Sequence, residues 1–307
     1  MPITKDKRGH VAGKFALDLD GQDAGWIMSV EGGLATSEVV TEKIGAEPFA
    51  KKHIGNVKYE DIKVTCGSGM SKVFWEWVEG SMNLKYSRKN GAVIACDFNF
   101  NEVSRLNFFN ALVTEIGFPA LDAASKDAMK LNLSYKPEYT RNVGKAGAAP
   151  KATTKRDQNL WSPANFKIVA EGLNSSLSRC SKIEALAIKQ KVSENPIGEM
   201  RDYECEPASM EIPNLVVTVA ESHADEFYKW HEDFVINGNC GEKQEKNFAI
   251  QYLDQTRKTV LMELELMRCG IFKLTPDKVE AGMEAVRKVK CEMYCEEMRV
   301  KANKFWA

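Results

Sequence analysis

Lys258-Thr-Val-Leu-Met-Glu-Leu-Glu-Leu-Met-Arg-Cys-Gly270 alternates Met262, Leu264 and Leu266 with Glu263 and Glu265. A period of two sends successive side chains to opposite faces, so this run reads as a strand with one buried face. An earlier run, Arg105-Leu-Asn-Phe-Phe-Asn-Ala-Leu-Val-Thr-Glu-Ile-Gly117, has the same reach and also ends in glycine. Both are long for strands, which usually hold about 3–10 residues. Two such runs in one chain raise the question of a repeat.

Working outward from each run, the same features recur in the same order. Each half opens with a short alternating strand ending in glycine: Phe15-Ala-Leu-Asp-Leu-Asp-Gly21, then Phe166-Lys-Ile-Val-Ala-Glu-Gly172. Each then has a strand leading into an aromatic helix, Tyr59–Thr65 before Phe74-Trp-Glu-Trp77 and Ile212–Val219 before Phe227-Tyr-Lys-Trp230. Phe74 and Trp77 are three apart, as are Phe227 and Trp230, so each pair shares a helical face and forms a core anchor. Asn90-Gly91 predicts a turn before the strand Ala92–Phe98, and Asn247–Leu253 takes that place later. Alternating strands close the halves at Met129–Tyr135 and Val289–Cys295, after segments 121–127 and 275–286 that suggest short helices or turns. Matching positions are offset by 151 at the opening strands and by 153 at the aromatic helices. Five elements in one order are an internal duplication.

The expected fold is α+β, mainly antiparallel β: two tandem barrel- or sandwich-like domains, each with one main flanking helix. Residues 1–141 form domain 1 and 165–307 domain 2. Between them, 142–164 is small, polar and basic, which reads as a flexible linker. Formal net charge is -1, so no global charge selects nucleic acid or an acidic membrane. No apolar run approaches the roughly 18 residues of a spanning helix, and the start of the chain lacks a signal-like apolar centre. Cytoplasmic folding is the expectation. The eight cysteines contain no CxxC pair, and Cys96, Cys269, Cys291 and Cys295 fall in strand patterns, predicting reduced, mostly buried thiols and no structural disulfide.

Residues 13–141 resemble the tube proteins of contractile phage tails and of related bacterial injection systems. The resemblance lies in Leu19-Asp-Gly21, Ala24-Gly-Trp26, Ser29-Val-Glu-Gly-Gly33, Lys52-His-Ile-Gly-Asn-Val-Lys-Tyr-Glu-Asp-Ile62 and Arg88-Lys-Asn-Gly91. It continues through Asn110-Ala-Leu-Val-Thr-Glu-Ile-Gly-Phe-Pro-Ala-Leu-Asp-Ala-Ala-Ser-Lys-Asp127 to Lys136-Pro-Glu-Tyr-Thr-Arg141. The second half keeps the element order but not these words, and two domains in one chain depart from the usual single one. The resemblance implies β-barrels joined side by side into six-domain rings that stack into a tube inside a sheath. The partners implied are further copies of the chain, sheath, baseplate or cap proteins, and DNA or protein cargo in the lumen.

The stretch 38–53 has no clean periodicity and reads as a surface loop; in this family the corresponding stretch meets a neighbouring subunit or ring. Glu42, Lys43, Glu47, Lys51 and Lys52 are therefore candidate assembly contacts. Arg105, Asn107 and Glu115 on one long strand, and Glu263 and Glu265 on the other, are candidates for a lumen-lining or ring-joining ribbon. Trp77, Trp230, Phe74 and Phe227 are the expected core anchors. His223 and His231 match no metal signature, and there is no nucleophile elbow, P-loop or GxGxxG, so no catalytic, cofactor or metal residue is assigned. Two other readings remain: a tube-initiating or tail-end cap ring present once per particle, and a soluble ligand-binding module.

Overall fold

The computed structural model describes residues 13–46, 48–67, 69–144, 161–278 and 286–302. The first unit contains β1 (Lys14–Leu19), β2 (Gln22–Gly32), β3 (Ala35–Glu42), β4 (Lys51–Tyr59), β5 (Ile62–Cys66) and helix α1 (Lys72–Met82). It continues with β6 (Lys89–Cys96), β7 (Glu102–Phe118), β8 (Leu121–Asp122), β9 (Leu131–Lys136) and β10 (Tyr139–Val143).

Six of these strands close on themselves in the order β1-β2-β5-β9-β7-β6, every contact antiparallel. Closure removes the open edges that a sheet otherwise exposes. The β1–β2 turn makes closure possible, because Asp20 and Gly21 both take positive φ (52° and 78°), as a two-residue hairpin turn requires. Its backbone is held by Gly21 N–H donating to Asp18 Oδ1 at 2.9 Å. Inside, Tyr135 lies against Trp77 and Phe108, with ring centroids 5.4 and 5.0 Å away. Phe74 and Trp77 are both buried, and the Trp77 indole donates to Ser87 O at 2.9 Å.

Asn90-Gly91 is not a turn. Both residues lie inside β6, where a Cβ on Gly91 would stand 2.1 Å from Asp18 O and 2.5 Å from the Phe108 ring. The glycine permits close approach of two strands and a ring, which a sequence pattern does not distinguish from a turn. Segment 121–127 opens with a short strand, β8, and then makes the expected turn at Ala123 and Ala124, whereas 275–276 belongs to a strand; residues 279–285 lie outside the described residues.

The second unit contains β11 (Phe166–Ala170), α2 (Asn174–Leu177), β12 (Cys180–Ile183), β13 (Leu186–Asn195), β14 (Glu204–Glu211) and β15 (Leu215–Ala220). Helix α3 (Asp225–His231) follows and runs into a π turn to Ile236; then come β16 (Lys246–Leu253), β17 (Val260–Pro276) and β18 (Lys288–Lys301). Its sheet order, β11-β16-β17-β18-β15-β12, repeats β1-β6-β7-β9-β5-β2. One contact is missing: β11 and β12 do not pair, so this barrel is open. Where the first unit has a two-residue turn, the second inserts α2, with Leu173 just before the helix and Leu177 at its end both buried. The far edge of β12 is taken by β8 of the first unit, with Lys182 opposite Asp122 and Ile183 opposite Leu121.

The units share one continuous core. Trp161 is buried against Tyr252 (5.5 Å between centroids), and Phe118 approaches the same ring at 6.0 Å. Helix α1 is buried over a wide arc because it lies between the two units. At its end Asn83 makes a two-way contact with Val300, its Nδ2 donating to the carbonyl (2.9 Å) and its Oδ1 accepting from the N–H (3.1 Å). Phe227 and Trp230 are buried in the second unit as Phe74 and Trp77 are in the first. Trp77→Ala should cost about 3–5 kcal/mol, the usual penalty for emptying a fully buried aromatic site. Urea unfolding followed by far-UV circular dichroism measures it; a midpoint unchanged from wild type contradicts this packing.

Candidate assembly surfaces

The stretch 38–53 is the outer part of a hairpin arm: 38–42 and 51–53 are strand rather than loop, and 43–46 and 48–50 are the expected loop at its tip. β3 and β4 form their own two-stranded sheet, separate from the barrel, with every residue of β3 exposed. Val39 is 63% exposed, Ile54 64% and Phe49 81%, so the arm carries apolar surface into solvent. Mixed apolar and charged residues hid the strand because neither face is buried, and period two shows only where one face is. Glu42 and Lys51 are opposed across the ladder, with Lys43 and Lys52 exposed beside them; Glu47 lies outside the described residues. Lys58 pairs with Glu38 at 2.6 Å. Each holds the other's charged form, so Glu38 lies below and Lys58 above its usual pKa.

The second unit has the same arm in another state. β13 and β14 pair with the arrangement of β3 and β4: Val192 faces Pro207 as Val39 faces Ile54, and Glu194 faces Cys205 as Thr41 faces Lys52. Even the bulge recurs, between Gln190 and Val192 as between Ser37 and Val39. The offset is the one that separates Trp77 from Trp230. This second arm is docked on the first unit. Leu186–Lys189 pair antiparallel with Phe118–Glu115 of β7, on the β7 edge that carries β6 further back.

Polar contacts fix the docked arm. Arg88 reaches Glu206 at 2.7 Å and donates to Cys205 O at 2.8 Å, while Glu138 accepts from Cys205 N–H at 3.1 Å. Tyr86 donates to Gln190 (3.0 Å), and Lys136 pairs with Glu194. Near the arm's tip, Asp202 accepts from Tyr59 (2.9 Å) and Arg141 (3.3 Å). Burial raises the Tyr59 hydroxyl, with Arg141 pulling the other way. Gln190 and Cys205 are buried by this docking.

The long strands serve several neighbours. Arg105 makes a two-pronged contact with the buried Glu102, at 3.1 and 3.0 Å. That carboxylate is the chief reason the guanidinium pKa rises. Asn107 stands in the ladder between Ala92 and Arg141, and Glu115 between Lys189 and Ser134. On β17, Glu263 accepts from Gln251 at 2.7 Å and Glu265 pairs with Lys301. In this single chain all five are engaged internally. Sequence reasoning missed Arg88 and Asp202 as docking residues. The constant offset carried on through 186–211 would have aligned the two arms and exposed the contrast between Lys52-His53 and Cys205-Glu206.

No three or more His, Cys, Asp or Glu among the described residues are grouped to hold a metal. Burial pushes the thiols of the buried Cys66 and Cys291, and of the half-buried Cys180, up to about 12 from an ordinary value of 9.0. A raised thiol pKa favours the folded state below the unfolded value, and that stability is lost as pH climbs from about 9 toward 12. Cys66 and Cys291 should resist a thiol reagent at pH 8 until denaturant is added, while the exposed Cys240 reacts at once. A second expectation concerns docking. Arg88→Ala should speed hydrogen exchange across Glu204–Glu211 several-fold and leave β6 unchanged; equal exchange in both proteins contradicts an arm held by Arg88.

Residues 11–136 match the family described as T4-like virus tail tube protein gp19, which covers the closed barrel and its arm. No protein with a curated description matches the chain. Among solved structures, the anti-feeding prophage cap (AFP tube terminating cap) is similar at 16% identity over 47% of this chain and 99% of its own, with a TM-score of 0.39. The PVC sheath-tube complex of an extracellular contractile injection system, in its extended state, gives 15% identity over 46% and 94%, TM-score 0.40. Hcp1 from Flavobacterium johnsoniae gives 15% over 44% and 98%, TM-score 0.29.

Proposed function

We infer that this chain is a structural subunit of the inner tube of a contractile tail or injection system, and not an enzyme. The observation that carries this reading is the tail tube family match over residues 11–136, lying on a closed six-stranded barrel with an exposed arm. The duplication adds a stoichiometry. Residues 1–141 and 165–307 are taken as two tube units, with β10 carrying the first on to Val143 and Trp161 already in the shared core, so that the joining stretch is shorter than 142–164; the docking of one unit on the other supplies a side-by-side pair. Six units in a ring then take three chains, giving threefold symmetry with a pseudo-sixfold lumen. Rings stack on rings, a sheath surrounds them, and a baseplate and a cap bound the ends; DNA or protein cargo occupies the lumen. Assembly takes place in the cytoplasm and the tube resides in the finished particle.

Exposed apolar surface on an arm suits such a role, because a strand edge left in solvent invites pairing. Negative-stain electron microscopy of the purified chain should give rings with threefold order and six similar units around one opening. Monomers at every concentration contradict the reading, and six chains around one lumen with residues 165–307 outside contradict the stoichiometry.

A further inference from the structure

We propose that the β3–β4 arm docks on the second unit of another copy of this chain, adding its first residues to the open edge of β17 and setting its basic strand against Glu245. The proposal rests on the tube reading above and names the contact that joins one chain to the next.

The receiving edge is located by matched irregularities. Asn110 of β7 and Arg268 of β17 both take positive φ, 51° and 52°. Each donates its backbone N–H to an asparagine side chain on the neighbouring strand, Asn90 and Asn247, at 2.9 Å in both cases. With those residues aligned, Glu115–Phe118 corresponds to Lys273–Pro276. The first stretch carries β13 on the edge that holds β6 further back. On β17 the ladder with β16 stops at Cys269, and β18 occupies the opposite edge along Lys273–Pro276. Among the described residues no strand takes the remaining edge there. Pro276 ends it without an N–H, and Phe272 beside it is exposed.

The donor is aligned by the arms themselves. Leu186–Lys189, which pair with β7, correspond to residues 33–36; Gly33 is buried, with its carbonyl taken by Thr140 Oγ1 at 2.7 Å, so pairing starts at Leu34 and runs into β3, whose free flank is the one that β13 uses for docking. The docked arm half-buries Val192 and Pro207, whereas their counterparts Val39 and Ile54 are nearly two-thirds exposed. The first arm thus has the surface of the second arm without its partner.

Charge gives an independent reason for a heterologous contact. Within the chain, Arg88 receives Cys205 and Glu206 of the acidic arm. Arg88 stands two residues before Asn90, and Glu245 stands two residues before Asn247. Cys205 and Glu206 correspond to Lys52 and His53, with Lys51 adjoining. The signs are exchanged on both sides, so basic arm meets acidic receiver. Glu245 is also incompletely served in the isolated chain: Oε1 accepts from Tyr294 at 2.7 Å, while Oε2 is shielded from water and has no hydrogen-bond partner. A shielded carboxylate oxygen costs stability until a donor reaches it. An arm bearing lysines supplies that donor by strand addition. The same exchange disfavours the first arm on another copy's Arg88, which sorts units into strict alternation.

Charge reversal tests the contact. Glu245→Lys alone, and Lys51→Glu with Lys52→Glu, should each shift the assembly to monomers in sedimentation velocity. All three substitutions in one chain should restore rings. A second measurement avoids reliance on folding of these variants: Ala35→Cys with Leu274→Cys should oxidise to a disulfide between positions 35 and 274 of different chains, read by mass spectrometry. Rings that persist through both reversals, or oxidised rings without that cross-link, overturn the contact while the tube reading stands. Wild-type chains that never assemble overturn both.

Discussion

The ladder between Glu115–Phe118 and Leu186–Lys189 fixes everything larger than a single unit. It uses the part of β7 that outruns β6, so the barrel's own closure is untouched while the strand still has an edge to give. β7 is seventeen residues long, as β17 is, and its last residues work on both sides: Glu115–Gly117 pair with β9 of the barrel on one edge while Glu115–Phe118 give the other edge to the second unit. Phe118, at the end of that reach, faces Tyr252 and seals the two cores together. One strand thereby contributes to a closed barrel, an inter-unit ladder and a shared core.

Openness of the second barrel follows from the same arrangement. A second closed barrel would leave β12 no free edge, and β8 of the first unit would have nothing to pair with. Inserting α2 between β11 and β12 releases that edge, and burial of Leu173 and Leu177 fills the gap that closure would have filled. The two halves are thus not equivalent modules on a string. One is complete in itself, and the other is completed by its neighbour.

The sequence showed as much of this as has one buried face. Alternation in 258–270 marked β17, and the aromatic pairs marked α1 and α3 with their sheets, because burial on one side imposes periodicity. The β3–β4 arm was illegible for the opposite reason: with both faces in solvent, nothing selects apolar residues at every second position. Gly91 misled because glycine reports a steric demand without saying whether a turn or a crowded strand makes it. The inter-unit contacts of Arg88 with Cys205 and of Tyr59 with Asp202 depend on surfaces brought together from residues more than a hundred apart, and no local pattern encodes such a meeting.

What duplication makes possible is divergence between two copies of one contact. In an assembly of identical units every arm must fit every receiver, so a change in either must suit all contacts at once. With two units per chain, the arm at 186–211 and the arm at 35–59 answer to different receivers, and each pair is free to settle on its own charges. The docked pair took an arginine on the receiver and acids on the arm; the other arm is basic and its counterpart receiver carries Glu245. The words that residues 13–141 share with tail tube proteins are absent from the second unit, which fits this account, because a unit seated by its own covalent partner no longer has to match a copy of itself. Retention of the bulge, of the positive-φ residue and of the asparagine that caps it marks what could not change. Those features set strand register, and register is the one property on which both kinds of contact still depend.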